Sequence, residues 1–322
     1  MPGLLEQLKT IAAPDEILKM DEREFRALFG ISPTAFVKLL PTFAESEAEL
    51  KQEMAATRKF PRKRKAGGGR KPTLRSAASQ FAFILHYFKR YATLDDLADR
   101  AGFHRTNASR NLNCLLDVLL HTLAKLNVLP ARKFETPAAL HEFFKGIEDI
   151  VIDATERPIL RPQDSSEQKE AYSGKKHQHS VKNTVISTLR RQILFLGKTV
   201  FGSHHDYGLF KIEFPPGQDW FAPFKVWIDL GYLGFANDFS TLELNIPYKK
   251  PRKSATNPTP SLTDSQKEEN HRISSVRIVV EHVLASIKHW SILSAKFRNR
   301  IDQMEDRVIL AAAGLHNFLL NT

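Results

Sequence analysis

Three acidic residues stand where acids are costly. Asp153 follows a Val-Ile pair in "DIVIDATERPI", and Asp229 follows Val-Trp-Ile in "FKVWIDLGYLGF". Glu281 interrupts "RIVVEHVLASIKHW" (277–290), where Val279, Val280, Val283, Leu284 and Ile287 make the core-facing stripe of a helix. A carboxylate in such company destabilises a fold unless something pairs with it. Two partners are open for Glu281: Arg277, one helical turn earlier, or a metal ion. Either strand acid alone could cap a turn, and Gly231 favours that for Asp229. Turn capping does not easily account for all three acids together. Carboxylates on three separate elements offer hard oxygen donors to Mg²⁺. Two such ions, about 3.5–4 Å apart, clamp an in-line displacement at phosphorus.

That chemistry needs a polyanion, and the charge of the chain points to one. Its 322 residues carry a formal net charge of +11 and a pI of about 9.6. Residues 58–75, "RKFPRKRKAGGGRKPTLR", contain nine Lys or Arg, no acid, three consecutive Gly and two Pro. This composition builds no core and reads as a basic arm, with Arg62, Lys63, Arg64, Lys65, Arg70 and Lys71 available to DNA phosphates. The single cysteine, Cys114, excludes an internal disulfide and a Cys-based zinc site. No stretch approaches the ~18 apolar residues of a membrane helix, and the N-terminus carries no signal-peptide pattern. A reducing, cytoplasmic setting is expected.

The elements that must position these residues fall into four segments. Residues 1–57 form an N-terminal helical region, 58–75 the basic arm, and 76–134 a helix-turn-helix DNA-binding domain. Residues 148–322 form an α/β catalytic domain, so the fold class is a multidomain α+β protein. In 92–119, Thr93 caps a helix favoured by Asp95 and Asp96, and Gly102 allows a tight turn. A second helix begins near His104–Thr106, with Leu112, Leu115, Leu116 and Leu119 inward and Arg105, Asn107 and Arg110 outward. Arg and Asn are the side chains that read guanine and adenine edges. A plain αα-hairpin is the alternative, and the arm upstream favours DNA.

Further cations cluster between the acids. If "YSGKKHQH" (172–179) is a strand, Lys175 shares a face with His177 and His179, while Lys176 takes the other. These lysines, with Arg157 and Lys182, are candidate DNA contacts; a solvated hairpin tip is the alternative. Lys288 lies two turns after Glu281 on the same helical face. The segment "PYKKPRKS" (247–254) is either a DNA contact or a solvated loop. His204 and His205 lack zinc-ligand spacing and read as surface residues.

"DATERPI", "YSGKKHQHSVKN", "GSHHD", "DLGYLGF" and "NHRISSVRIVVEHVLASIKHW" occur in that order. Together they resemble the DDE transposases of the bacterial insertion-sequence-five group, related to the Harbinger elements, over roughly residues 70–322. The resemblance implies an RNase H-like catalytic core in which Asp153, Asp229 and Glu281 are the catalytic, metal-binding acids. It implies two Mg²⁺ ions, replaceable by Mn²⁺. Arg277, Glu281 and Lys288 match the spacing of the family's signature, and Ser274 stands where the signature has Tyr. Asp206, in "GSHHD", is an auxiliary position, read either as a metal neighbour or, in slight preference, as the cap of the following helix. The implied activity is cleavage at terminal inverted repeats and joining of the 3′-hydroxyl ends to target double-stranded DNA. A homodimer or larger assembly in the bacterial cytoplasm, on the nucleoid, follows. The rivals are a domesticated DNA-binding protein without catalysis and an RNase H-fold nuclease without strand transfer.

Overall fold

Helical and strand periodicities alternate along the chain, and the computed structural model realises both. It describes residues 19–58, 72–254 and 258–322. The basic-arm residues Arg62, Lys63, Arg64, Lys65, Arg70 and Lys71 lie outside the described residues. The helices are α1 (Glu22–Phe29), α2 (Pro33–Ala56), α3 (Ala77–Arg90), α4 (Leu94–Ala101), α5 (Arg105–Lys125) and α6 (Pro137–Phe143). Then come β1 (Asp149–Pro158), α7 (Ser165–Ala171), β2 (Tyr172–Ser173), β3 (Gln178–Thr188), β4 (Ile193–Leu196), β5 (Val200–Phe201) and α8 (Asp206–Glu213). The chain continues through β6 (Lys225–Trp227), a 3₁₀ turn (Leu230–Tyr232), α9 (Phe235–Asp238) and β7 (Glu243–Asn245). It ends with α10 (Asp264–Lys288), α11 (Ser291–Ser294) and α12 (Met304–Leu319). No single described helix is long and apolar enough to cross a membrane.

The structure is mixed α+β with a helical N-terminal region, and it divides into two units. The first comprises residues 1–129, 288–295 and 300–322. Residues 81–88 of α3 are all buried, because other helices cover it on every side. Phe36 and Phe43 of α2 each stack on Phe81, with ring centroids 4.8 Å apart. α1 stops at Gly30, whose φ of +75° suits a residue without Cβ. A Cβ there would come within 2.4 Å of the Trp290 ring. α12 approaches closely at Gly314, where a Cβ would meet Leu129 at 2.7 Å. The α4–α5 pair forms as expected: the Thr93 hydroxyl accepts from the Asp96 amide, Gly102 takes the left-handed cap, and α5 starts at Arg105. Leu112, Leu115, Leu116 and Leu119 are buried.

The second unit comprises residues 130–287 and 296–299. Its sheet has the order β2-β3-β1-β6-β7, with β4 and β5 also pairing with β3. β1 is antiparallel to β3 and parallel to β6, and β6 is parallel to β7. Strand alternation sends Ile150, Ile152, Val226 and Ile228 to an aromatic-rich core with Phe210, Phe214, Phe221 and Phe235. Val151 and Trp227 point the other way, onto Ile273 and Val280 of α10. That second face carries the acids.

Candidate active site

The parallel register fixes the first two acids. Ile150 pairs with Val226 and Val151 with Trp227. Asp153 and Asp229 each follow that last pair by two residues, and Asp229 is close enough to raise the Asp153 carboxyl. The side-chain period of two also puts Asp153 on the face of Val151 and Asp229 on the face of Trp227, both toward α10. Asp153 lies inside β1, which runs on to Pro158, rather than at a strand end. Asp229 lies two residues past β6 and caps the 3₁₀ turn, its Oδ1 accepting the Gly231 amide at 2.8 Å. The turn-capping role expected from Gly231 is therefore present, and it uses one carboxylate oxygen. A Cβ on residue 231 would sit 2.8 Å from that oxygen, so glycine permits the approach.

Burial pushes the Asp153 carboxyl up to about 6. The Ala154 amide, donating to Oδ1 at 2.7 Å, and the nearby Arg277 pull against this shift, while Asp229 and then Asp206 add to it. Arg277 Nη2 lies 3.5 Å from Asp153 Oδ2. Of the two partners open at the outset, Arg277 does not pair with Glu281; it reaches the strand acid instead. The helix phase explains this. Ile273 and Val280 dock on the sheet; Arg277 is about 60° round the helix from Val280 and reaches Asp153, while Glu281, about 100° round, is exposed. Glu281 is exposed, as is Ser274, and Lys288 is half-buried at the end of α10. The structure thus brings Asp153, Asp229 and Arg277 together, and Glu281 is exposed.

Asp206 is the first residue of α8, and His205 holds the cap position, with no side-chain capping bond. The expected cap is absent. The Asp206 carboxylate pairs instead with Lys182 at 2.8 Å, and the Lys182 ammonium also donates to the His204 carbonyl at 2.7 Å. Lys182 is buried, so its reading as a DNA contact is corrected: β3 is covered where the residue stands, and its charge is answered from within. Arg157 is corrected for the same reason. It is buried and donates to Asn183 Oδ1 at 2.9 Å. Lys175 and Lys176 are exposed but occupy the β2–β3 hairpin turn rather than an alternating strand, since the chain reverses between Gly174 and His177. Arg105, Asn107 and Arg110 are exposed along α5, with Arg105 3.6 Å from Asp95. His204 and His205 are exposed.

The sequence reading passed over Tyr232. Its side chain is 1% exposed and its hydroxyl has no hydrogen-bond partner among the described residues. Burial raises its phenol far above the ordinary range, and Asp153, Asp206 and Asp229 raise it further. The available signal was its position three residues after Asp229. Among the described residues no three Asp, Glu, His or Cys side chains close around a common point for a metal ion. Mg²⁺ nevertheless requires only one or two protein carboxylates, completing its shell with water and substrate phosphate. The neighbouring carboxylates Asp153 and Asp229 fit that demand in both donor chemistry and number.

Residues 152–317 match the DDE superfamily endonuclease family, and the chain belongs to it. The match begins beside Asp153 and takes in Asp229 and Glu281. The chain is also 29% identical over 305 residues to a probable transposase for insertion sequence element IS702 of Microchaete diplosiphon, covering 94% of this chain and 96% of that protein. No solved structure matches.

Proposed function

We propose that the protein is a DNA transposase of the insertion-sequence-five group, related to the Harbinger elements, with an RNase H-like catalytic domain. The observation that carries this reading is the pair of Asp153, in β1, and Asp229, just past the parallel strand β6, with Arg277 3.5 Å from Asp153. Asp153 and Asp229 would hold the metal, with Glu281 as the third carboxylate of the site. Bound Mg²⁺, or Mn²⁺ in its place, supplies charge neutralisation at the attacking and leaving oxygens of an in-line displacement. Arg277 orients Asp153. Water first hydrolyses a phosphodiester at each element end, and the freed 3′-hydroxyl then attacks target DNA. Arg105, Asn107 and Arg110, as a helix-turn-helix face, and the arm cations Arg62, Lys63, Arg64, Lys65, Arg70 and Lys71 bind the terminal inverted repeats. Lys175, Lys176 and Lys288 meet DNA near the acids. Two ends are cut together, so the working form is a homodimer or larger assembly.

The test incubates the full-length protein and Mg²⁺ with duplex DNA carrying the inverted repeats that flank its own gene. Nicking and joining are expected, falling about 100-fold or more in Asp153→Asn, Asp229→Asn and Glu281→Gln. A second readout is thermal: Mg²⁺ raises the melting temperature of the wild type and not of Asp153→Asn. Absence of both nicking and joining, or a Glu281→Gln variant as active as wild type, overturns the reading.

A further inference from the structure

The chain leaves β7 through "PYKKPRKS" (247–254), which carries Lys249, Lys250, Arg252 and Lys253 and no acid. All four cations are exposed, and among the described residues none of them is ion-paired. Crowded like charges repel, so this arrangement adds nothing to the stability of the folded chain by itself. Pro247 and Pro251 disfavour regular structure, and the stretch forms neither helix nor strand.

The segment is nonetheless fastened. Asn270 of α10 clasps the Tyr248 backbone from both sides, its Oδ1 accepting the Tyr248 amide at 2.7 Å and its Nδ2 donating to the Tyr248 carbonyl at 3.0 Å. Two residues on, Arg272 donates to Asn245 Oδ1 at 2.6 Å and lies over the Trp227 ring, 5.1 Å from its centroid. The chain returns at Thr263, whose hydroxyl and amide form a reciprocal cap with Gln266. A linker that only spans a gap needs no such clasp.

The clasp also has a definite place relative to the acids. Asn270, Arg277, Glu281 and Lys288 are spaced by seven, four and seven residues on one helix, so they share a stripe about 40° wide. Asn270 and Arg277 are about 10 Å apart along the axis. The clasp is therefore on the same helix as the residue that faces Asp153, about two turns away.

We propose that Lys249, Lys250, Arg252 and Lys253 are a phosphate-binding strap, pinned to α10 by Asn270, that grips the substrate duplex. The inference rests on the DNA-cleaving reading above. The four side chains are exposed, so their removal leaves folding intact, and a wild-type melting curve verifies this. The experiment measures binding of the full-length protein to a short mixed-sequence DNA duplex as salt is varied. Each phosphate contact contributes about 0.9 to the slope of log affinity against log salt. K249A/K250A/R252A/K253A is expected to reduce that slope by about 3–4, while K249R/K250R/K253R retains it. Asn270→Ala keeps the cations but weakens binding several-fold. An unchanged slope in the quadruple alanine variant overturns the strap, and unchanged affinity in Asn270→Ala overturns the pinning. If the wild type binds no duplex at all, the transposase reading fails and the strap with it.

Discussion

Asp153 and Glu213 are both carboxyls pushed up by burial, to about 6 and about 7, but they differ in what they face. Asp153 looks onto Arg277 and two other acids. Glu213 is packed over Gly197 with both oxygens out of contact with solvent, and Thr184 and then Arg132 only partly offset its burial. The raised Glu213 value means the folded chain binds that proton more tightly than the unfolded chain does. Stability should therefore fall as pH rises from the ordinary Glu range to about 7. The loss is on the order of 3 kcal/mol. Glu213→Gln should flatten this part of the profile, and denaturant titrations across that range measure it; an unaltered profile refutes the assignment. Tyr232→Phe removes a hydroxyl without a partner among the described residues, so the expected change in stability is within about 1 kcal/mol of zero. Gly231→Ala should behave differently. It crowds Asp229 Oδ1, so DNA cleavage drops well below wild type while the melting temperature moves little.

The decisive element is α10. Its docking residues Ile273 and Val280 set the helix phase, and the phase decides that Arg277 meets Asp153 while Glu281 is exposed. Ile273→Ala should destabilise the protein by about 2–5 kcal/mol. By loosening Arg277, it should also lower cleavage in conditions where the protein remains folded. Retention of full cleavage in that variant means Arg277 is not positioned by this packing. β3 is the other determining element. It holds Lys182 and Arg157 in the interior, where each has an internal partner. Lys182→Ala leaves Asp206 without its cation, and a loss of about 3–5 kcal/mol is expected from chemical unfolding.

The first unit is assembled from both ends of the chain, with residues 288–295 and 300–322 joining residues up to 129. Trp290 lies against Gly30, Gly314 admits Leu123 and Leu129, and Arg307 pairs with Asp117. A fragment spanning residues 19–129 should therefore lack a cooperative thermal transition. Coexpression with residues 288–322 should restore one, as followed by near-ultraviolet circular dichroism. A sharp transition in the shorter fragment alone contradicts this account.

Local patterns are legible wherever local physics decides them. Thr93 and Gly102 marked the α4–α5 turn, and apolar runs entering Asp153 and Asp229 marked the two acids as a pair. These features depend on neighbours a few residues away. The register that brings the two acids together, the helix phase that favours Arg277 over Glu281, and the burial of Lys182 and Arg157 were not legible. Each depends on which distant segment covers a given face. A lysine in a polar-looking run reads the same whether it meets solvent or a half-buried aspartate, and only the tertiary structure supplies Asp206 as its partner.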